Sequence, residues 1–108
     1  MSEVMNLKEL VAYQKGAVVS KTLVEKEAGT VTLFAFDEGQ ALSEHTAPFD
    51  ALVQVSDGEA EIRIAGVPYK VGAGEMIIMP AHQSHALKAL TPFKMMLTMI
   101  RSQGKQFS

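Results

Sequence analysis

The sequence ALVQVSDGEAEIRI, residues 51–64, places apolar side chains at every second position on both sides of one Asp57-Gly58 pair. Alternation with a period of two predicts strands that bury one face and expose the other. Asp and Gly both tolerate a positive φ, so the pair is a strong signal for a hairpin turn. We therefore predict two strands joined at this pair. Their apolar faces consist of Ala51, Val53 and Val55 in the first strand and Ala60, Ile62 and Ile64 in the second.

The same period of two extends through most of the chain on either side of this segment. Pairs that contain Gly or Pro, such as Ala65-Gly66 and Thr91-Pro92, supply the chain reversals. Asn6 is placed to cap a short helical turn ahead of Leu7. Because no long helical segment separates the strands, the pattern predicts an all-β antiparallel sandwich or closed barrel. The predicted strands are Val18–Glu25, Thr30–Phe36, Ala51–Val55, Ala60–Ile64, Tyr69–Val71, Met76–Met79, His85–Ala89 and Lys94–Ile100.

Length and composition limit the possible classes of protein. With 108 residues and 47% hydrophobic residues, the chain is expected to form one domain over residues 1–108. Its formal charge of -2, without a cluster of arginines, gives little attraction for a nucleic acid. The absence of cysteine suits a reducing cytosol, and no run approaches the ~18 apolar residues of a membrane helix. We therefore expect a cytoplasmic protein with neither a nucleic acid nor a membrane partner.

The three histidines, His45, His82 and His85, each follow a turn or loop signal. Imidazole is the commonest metal ligand, and three imidazoles converging in a barrel mouth would form a metal site with open positions. A single histidine at a strand end is more commonly a structural or surface residue. The histidines alone leave both interpretations open.

Two longer segments place Gly, His and Pro at characteristic spacings. In residues 39–58, Gly39 is followed after five residues by His45. In residues 74–89, Gly74 is followed after five residues by Pro80, and His85 comes shortly afterwards. These segments resemble the two signature motifs of the cupin superfamily, in its small single-domain form with a conserved barrel.

This resemblance implies a double-stranded β-helix, the cupin jelly-roll barrel, of two antiparallel sheets with a short N-terminal helical turn or strand. It also implies a homodimer, formed through the outer face of residues 94–100, with the N-terminal segment crossing to the partner. The four typical metal ligands of the family would fall at His45, Ala47, Ala51 and His85. Two of these side chains are methyl groups, so the usual metal site is expected to be incomplete.

An incomplete metal site leaves two functions open. The first is binding of a small molecule in an apolar pocket, with His45, His85 and His82 as its polar groups. The alternative is a metal-dependent enzyme of the small cupin dioxygenase or isomerase type. In that enzyme the three histidines would hold one divalent transition metal ion, which would be Fe, Mn, Ni, Cu or Zn. The other residues expected to line the pocket are Ala47, Ala51, Val53 and Leu87.

Four further side chains are secondary candidates for the site. Asp50 and Gln54 have the wrong strand parity, although a bulge at Pro48-Phe49 would re-aim Asp50. Met95 and Met99 share one face of their strand, and thioethers beside imidazoles suit copper(I). Core packing is the commoner role for methionine, because its flexible side chain fills irregular gaps.

Overall fold

The computed structural model describes residues 2–102. These residues form nine strands and one short 3-10 turn, which confirms the all-β prediction. The turn spans Leu7–Glu9, and Asn6 caps it as predicted, because its side chain accepts a hydrogen bond from the backbone N–H of Lys8. The strands are β1 Val18–Lys26, β2 Gly29–Phe36, β3 Ala41–His45, β4 Phe49–Asp57, β5 Glu59–Ile64, β6 Val67–Gly72, β7 Met76–Met79, β8 His85–Ala89 and β9 Phe93–Arg101.

The strands build two sheets that pack face to face. The five-stranded sheet has the order β1-β2-β9-β4-β7, and the four-stranded sheet has the order β3-β8-β5-β6. Every pairing among the described strands is antiparallel. The predicted architecture of two antiparallel sheets is therefore confirmed.

The core lies between the inner faces of the two sheets. Alternate residues of β4 and β5 point into it, so the buried and exposed faces predicted for these strands are confirmed. At one end of the core the rings of Phe36 and Phe93 stack with centroids 4.6 Å apart. Stacked aromatic rings add to the free energy gained from removing their apolar surface from water.

The Asp57-Gly58 pair does not form the predicted hairpin. Strand β4 pairs with β7 and β9, whereas β5 pairs with β6 and β8, so the pair carries the chain from one sheet to the other. Gly58 has a φ of +71°, and a Cβ there would collide with the carbonyl oxygen of Pro92. The glycine therefore permits a close crossing between sheets. A two-residue hairpin does occur at Ala65-Gly66, where both φ values are positive.

Strand β3 is absent from the strands predicted above. Its pairing with β8 contains an irregularity between Leu42 and His45, and this interrupts the simple alternation that reveals a strand in sequence. All eight predicted strands are present, and most extend by one or two residues beyond their predicted bounds.

The N-terminal segment covers part of the outer face of the five-stranded sheet. Val11 is buried there against Leu33 and Ala35, with Met96 of β9 packed beside them. The Tyr13 hydroxyl donates a hydrogen bond of 2.6 Å to the Asp57 carboxylate. The N-terminal segment therefore packs on the sheet of the same chain, where its apolar side chains contact the outer face of β9.

Part of that outer face is exposed. Met76, Ile78 and Ile100 each leave about half of their surface open to solvent. The homodimer and the cytoplasmic location stay predictions. No helix within residues 2–102 is long and apolar enough to cross a membrane. The polar tail that follows Ser102 lies outside the described residues.

We expect Gly58→Ala to lower the free energy of unfolding by about 3 kcal/mol or more, because the new methyl group meets backbone atoms that cannot move aside. Gly66→Ala is the matched control, since Gly66 has a φ of +81° but no atom within 4 Å of a Cβ. Its cost should be limited to about 1 kcal/mol of backbone strain. Urea denaturation of both variants measures the difference. Equal losses would show that the close crossing at Gly58 does not matter.

Candidate functional site

A β-bulge brings two histidines opposite each other on β3 and β8. Leu42 pairs with Leu87, so regular antiparallel pairing would place Glu44 opposite His85. The register shifts by one residue, and His45 is the partner of His85 instead. A bulge of this kind reverses the parity of the residues that follow it. Leu42 and His45 therefore both face the interior although three positions separate them.

The two imidazole rings are in direct contact. Their Nε2 atoms are 3.1 Å apart, and their ring centroids are 4.3 Å apart with an angle of 68° between the planes. Each Nδ1 atom faces a backbone carbonyl two residues earlier in the chain. The distances are 2.9 Å from His45 to Ser43 and 3.3 Å from His85 to Gln83.

We assign the ring hydrogens from the two carbonyl contacts. A carbonyl oxygen can only accept a hydrogen bond, so each Nδ1 donates and carries the hydrogen of its neutral ring. Both Nε2 atoms then present lone pairs to each other. A proton, a metal ion or a hydrogen-bond donor between or beside them relieves this repulsion. The pair is therefore an acceptor site that fits a positive charge or a donor group.

The environments of the two rings differ. His85 is buried with 7% of its surface exposed, whereas His45 is exposed at the end of β3. Burial lowers the pKa of His85, the neighbouring His45 lowers it further, and the contact with the Gln83 carbonyl opposes both. His85 therefore favours its neutral form, and His45 provides the side of the pair that solvent reaches.

The pair closes one side of a small cavity between the sheets. Its volume is about 50 Å³, which suits an ion or one or two water-sized groups. Drug-sized ligands need pockets of several hundred Å³. Apart from the histidines, the lining is apolar. The ten lining residues are Leu42, His45, Ala47, Ala51, Met79, His85, Leu87, Met95, Leu97 and Met99.

Most of the residues predicted to line the pocket do line this cavity. They are His45, His85, Ala47, Ala51 and Leu87. Val53, which was predicted to line the pocket, is fully buried in the core and is not among the lining residues.

Sequence reasoning missed several lining residues. Met79 lies on β7, and Met95, Leu97 and Met99 alternate along β9. The shared face of Met95 and Met99 was visible in the sequence. The sequence did not show that this face lies opposite β3 and β8, because strand order in a sheet is set by long-range pairing.

His82 does not join the histidine pair in the structure. It is exposed, has a φ of +68°, and its backbone N–H donates to the Ala47 carbonyl at 2.9 Å. The next contact along this loop is between the Ala81 N–H and the Asp50 carboxylate, also at 2.9 Å. These two bonds hold Ala81 inside and leave His82 outside. Within residues 2–102, no three His, Cys, Asp or Glu side chains are grouped to hold a metal ion.

The two secondary candidates on β4, the Asp50 carboxylate and the Gln54 amide, also lie away from the cavity. Asp50 uses its side chain to hold the Ala81 backbone, and Gln54 is exposed on the outer face of β4. The bulge that re-aims a polar side chain lies in β3, and none is seen at Pro48-Phe49. The polar groups that face the cavity are therefore the two imidazoles.

Comparison with known proteins identifies the family. A family model described as the cupin domain matches residues 32–101. The chain belongs to the cupin family. No curated protein matches it.

Solved structures of several other proteins resemble this one closely. A conserved protein of unknown function from Streptococcus pyogenes is 35% identical, with a TM-score of 0.91 over 96% of this chain and 91% of that chain. A cupin 2 conserved barrel domain protein from Leptotrichia buccalis is 42% identical with a TM-score of 0.87, and the match covers 90% of this chain and 47% of that one. A cupin superfamily protein from Desulfitobacterium hafniense is 24% identical, with a TM-score of 0.89 over 94% of both chains, which supports the fold alone.

The four positions that the cupin resemblance assigns to metal ligands do converge in this structure. His45, Ala47, Ala51 and His85 all line the same cavity. Two methyl groups stand at two of those positions, so the four-ligand set of the resemblance does not fit these residues. This cupin offers two imidazole nitrogens in its place.

We expect His82→Gly to raise the free energy of unfolding by about 0.5 to 1 kcal/mol. A residue with a side chain is strained at a φ of +68°, and the greater freedom of glycine in the unfolded chain offsets part of the gain. His82→Ala keeps the strained backbone and should give no gain. Urea denaturation compares the two variants. Equal stabilities would show that His82 is not strained.

We expect the stability of this cupin to fall as the pH falls from 7 to 5. The folded pKa of His85 lies below its ordinary 6.5, so the unfolded chain binds more protons in this range. Above the ordinary pKa both states are neutral and the contribution is fully present. It is lost as the pH falls towards the folded pKa. Urea denaturation at several pH values measures the decline.

His85→Gln should make that decline shallower, because it removes the buried ionisable ring. His82→Asn is the control, since Asn tolerates the backbone conformation at this position. A decline that is equally steep in wild type and His85→Gln would contradict the assignment to His85.

Proposed function

We propose that this cupin is a small-ligand binding protein that anchors its ligand on the His45–His85 pair. The observation that supports the proposal is the approach of two Nε2 atoms to 3.1 Å while both Nδ1 atoms face backbone carbonyls. The carbonyls fix each ring and leave both Nε2 atoms as acceptors. A site that is prepared in this way binds without first reorganising its polar groups.

The acceptor pair selects the chemistry of the ligand. An ammonium or a metal ion can satisfy both lone pairs and a hydroxyl can donate to one of them, whereas a carboxylate would add a third set of lone pairs. Because the surrounding side chains are apolar, an acceptor left there without a donor would be costly. We therefore propose a ligand that presents a cationic or hydrogen-bond-donating group.

The cavity also limits which part of the ligand enters. A volume of about 50 Å³ admits the anchoring group and excludes a sugar ring or a larger metabolite. The remainder of such a ligand would lie on the exposed side of His45. The histidine pair therefore recognises only one end of the ligand.

The three-histidine metal enzyme receives less support from this geometry. Its third ligand, His82, lies outside the cavity with its loop fixed by the backbone bonds of Ala81 and His82. Divalent ions in protein sites usually have three or more protein ligands. We therefore favour binding through two imidazoles.

Nuclear magnetic resonance of the ring nitrogens tests the proposal directly. We expect both Nε2 atoms to be unprotonated at pH 8, and both signals to shift when ethanolamine or ethylene glycol is added. Propionate, which offers only acceptors at this pH, is the matched control ligand and should leave them unchanged. His45→Ala and His85→Ala should each abolish the response to ethanolamine.

His82→Asn serves as the control variant and should keep the full response, because His82 lies outside the cavity. The proposal fails if propionate binds as well as ethanolamine, or if neither donor probe shifts the Nε2 signals. Loss of the response in His82→Asn would also overturn it, since the loop histidine would then belong to the site.

A further inference from the structure

The cavity beneath the histidine pair is lined by sulfur as well as nitrogen side chains. Of its ten lining residues, two are histidines and three are methionines, and the remainder are alanines and leucines. None of the ten carries a carboxylate. The possible metal donors at this cavity are therefore imidazole nitrogens and thioether sulfurs, a set without charged oxygen.

Strand register places two of the methionines on either side of a small residue. Ala51 of β4 pairs with Met79 of β7 on one side and with Met99 of β9 on the other. Directly opposed residues in a sheet share a face, so these three side chains form one row, and this row lines the same cavity as the histidines. The methyl group of Ala51 occupies little of the space between its longer neighbours. Met95, further along the same face of β9, is almost fully buried.

We infer that this cavity is a copper(I) site formed by His45 and His85 together with the thioethers of Met79, Met95 and Met99. Thioether sulfur is a soft donor that selects copper(I), and imidazole is a good ligand for copper. Iron and manganese favour carboxylate and other oxygen donors, which this lining lacks. The inference rests on the proposed function in one respect, since it needs both Nε2 atoms free to accept.

The spacing of the nitrogens and the size of the cavity fit a single ion. Two nitrogens at about 2.0 Å from one ion and at a tetrahedral angle are about 3.3 Å apart. The observed Nε2 separation of 3.1 Å is close to that value. The Nδ1 contacts with the Ser43 and Gln83 carbonyls are those that commonly orient a metal-binding histidine. A cavity of about 50 Å³ holds an ion without a large organic ligand.

Competition with the chelator bathocuproine disulfonate, under anaerobic conditions, measures the copper(I) affinity of the full chain. We expect one copper(I) per chain. The double variant Met79→Leu/Met99→Leu should weaken binding at least about tenfold, because it replaces both thioethers with side chains of similar volume. X-ray absorption of the wild-type complex should show sulfur neighbours around the copper.

Met96→Leu is the matched control. Met96 lies on the same strand, β9, but packs with the N-terminal segment on the outer face. It should leave the affinity unchanged within about twofold. Circular dichroism checks that each variant is folded. If the double variant unfolds, the wild-type absorption spectrum still decides, since copper without sulfur neighbours overturns the inference.

Other results separate this inference from the proposed function. Failure to bind copper(I), or tighter binding of zinc than of copper(I), overturns the soft-metal site. The response of the histidine pair to ethanolamine would still support ligand binding in that case. Equal copper(I) affinities in the methionine double variant and in Met96→Leu would likewise exclude the thioethers and leave the histidine pair as the binding site.

Discussion

The packing of two inner sheet faces against each other is the constraint on which this molecule depends. Val53 and Ile62, one from each sheet, are completely buried where the faces meet. The Phe36–Phe93 stack fills one end of the interior with large rings. Towards the other end, Ala47 and Ala51 have small side chains, and the cavity lies there. Because the core is dense at one end and open at the other, the cavity lies between the sheets at the open end.

Between these two sheets, one extra residue in β3 decides which polar side chain faces the cavity. Regular pairing would present Glu44 to His85 and a carboxylate to the interior. The bulge presents His45 instead, and the cavity receives two imidazole rings whose nitrogens converge. The backbone orients both rings, because each Nδ1 atom contacts a carbonyl group two residues earlier in the chain, that of Ser43 in β3 or that of Gln83 in the loop before β8. A local irregularity in hydrogen bonding thus sets the polarity of the whole cavity.

Much of the fold could be predicted from local sequence, because period-two alternation reports directly which residues of β4 and β5 are buried. The same method missed β3, since its bulge breaks the alternation, and it mistook Asp57-Gly58 for a hairpin. Turn chemistry shows that a chain reverses but does not show which strand it then pairs with. The meeting of His45 and His85 could also be predicted from the sequence. The methionine lining of the cavity depends on β9 lying beside β4, a long-range pairing that no local pattern encodes.

The position of β9 in the five-stranded sheet has a consequence for assembly during synthesis. Strands β2 and β4 do not pair with each other; each pairs with β9, which follows both of them in the chain. Until β9 leaves the ribosome, that sheet can exist only as two separate pairs, β1 with β2 and β4 with β7. The histidine pair needs only β3 and β8, so the imidazoles can meet while the sulfur side of the cavity is still missing. The nascent chain therefore exposes unpaired strand edges, which are prone to aggregation, until its ninth strand is inserted between β2 and β4.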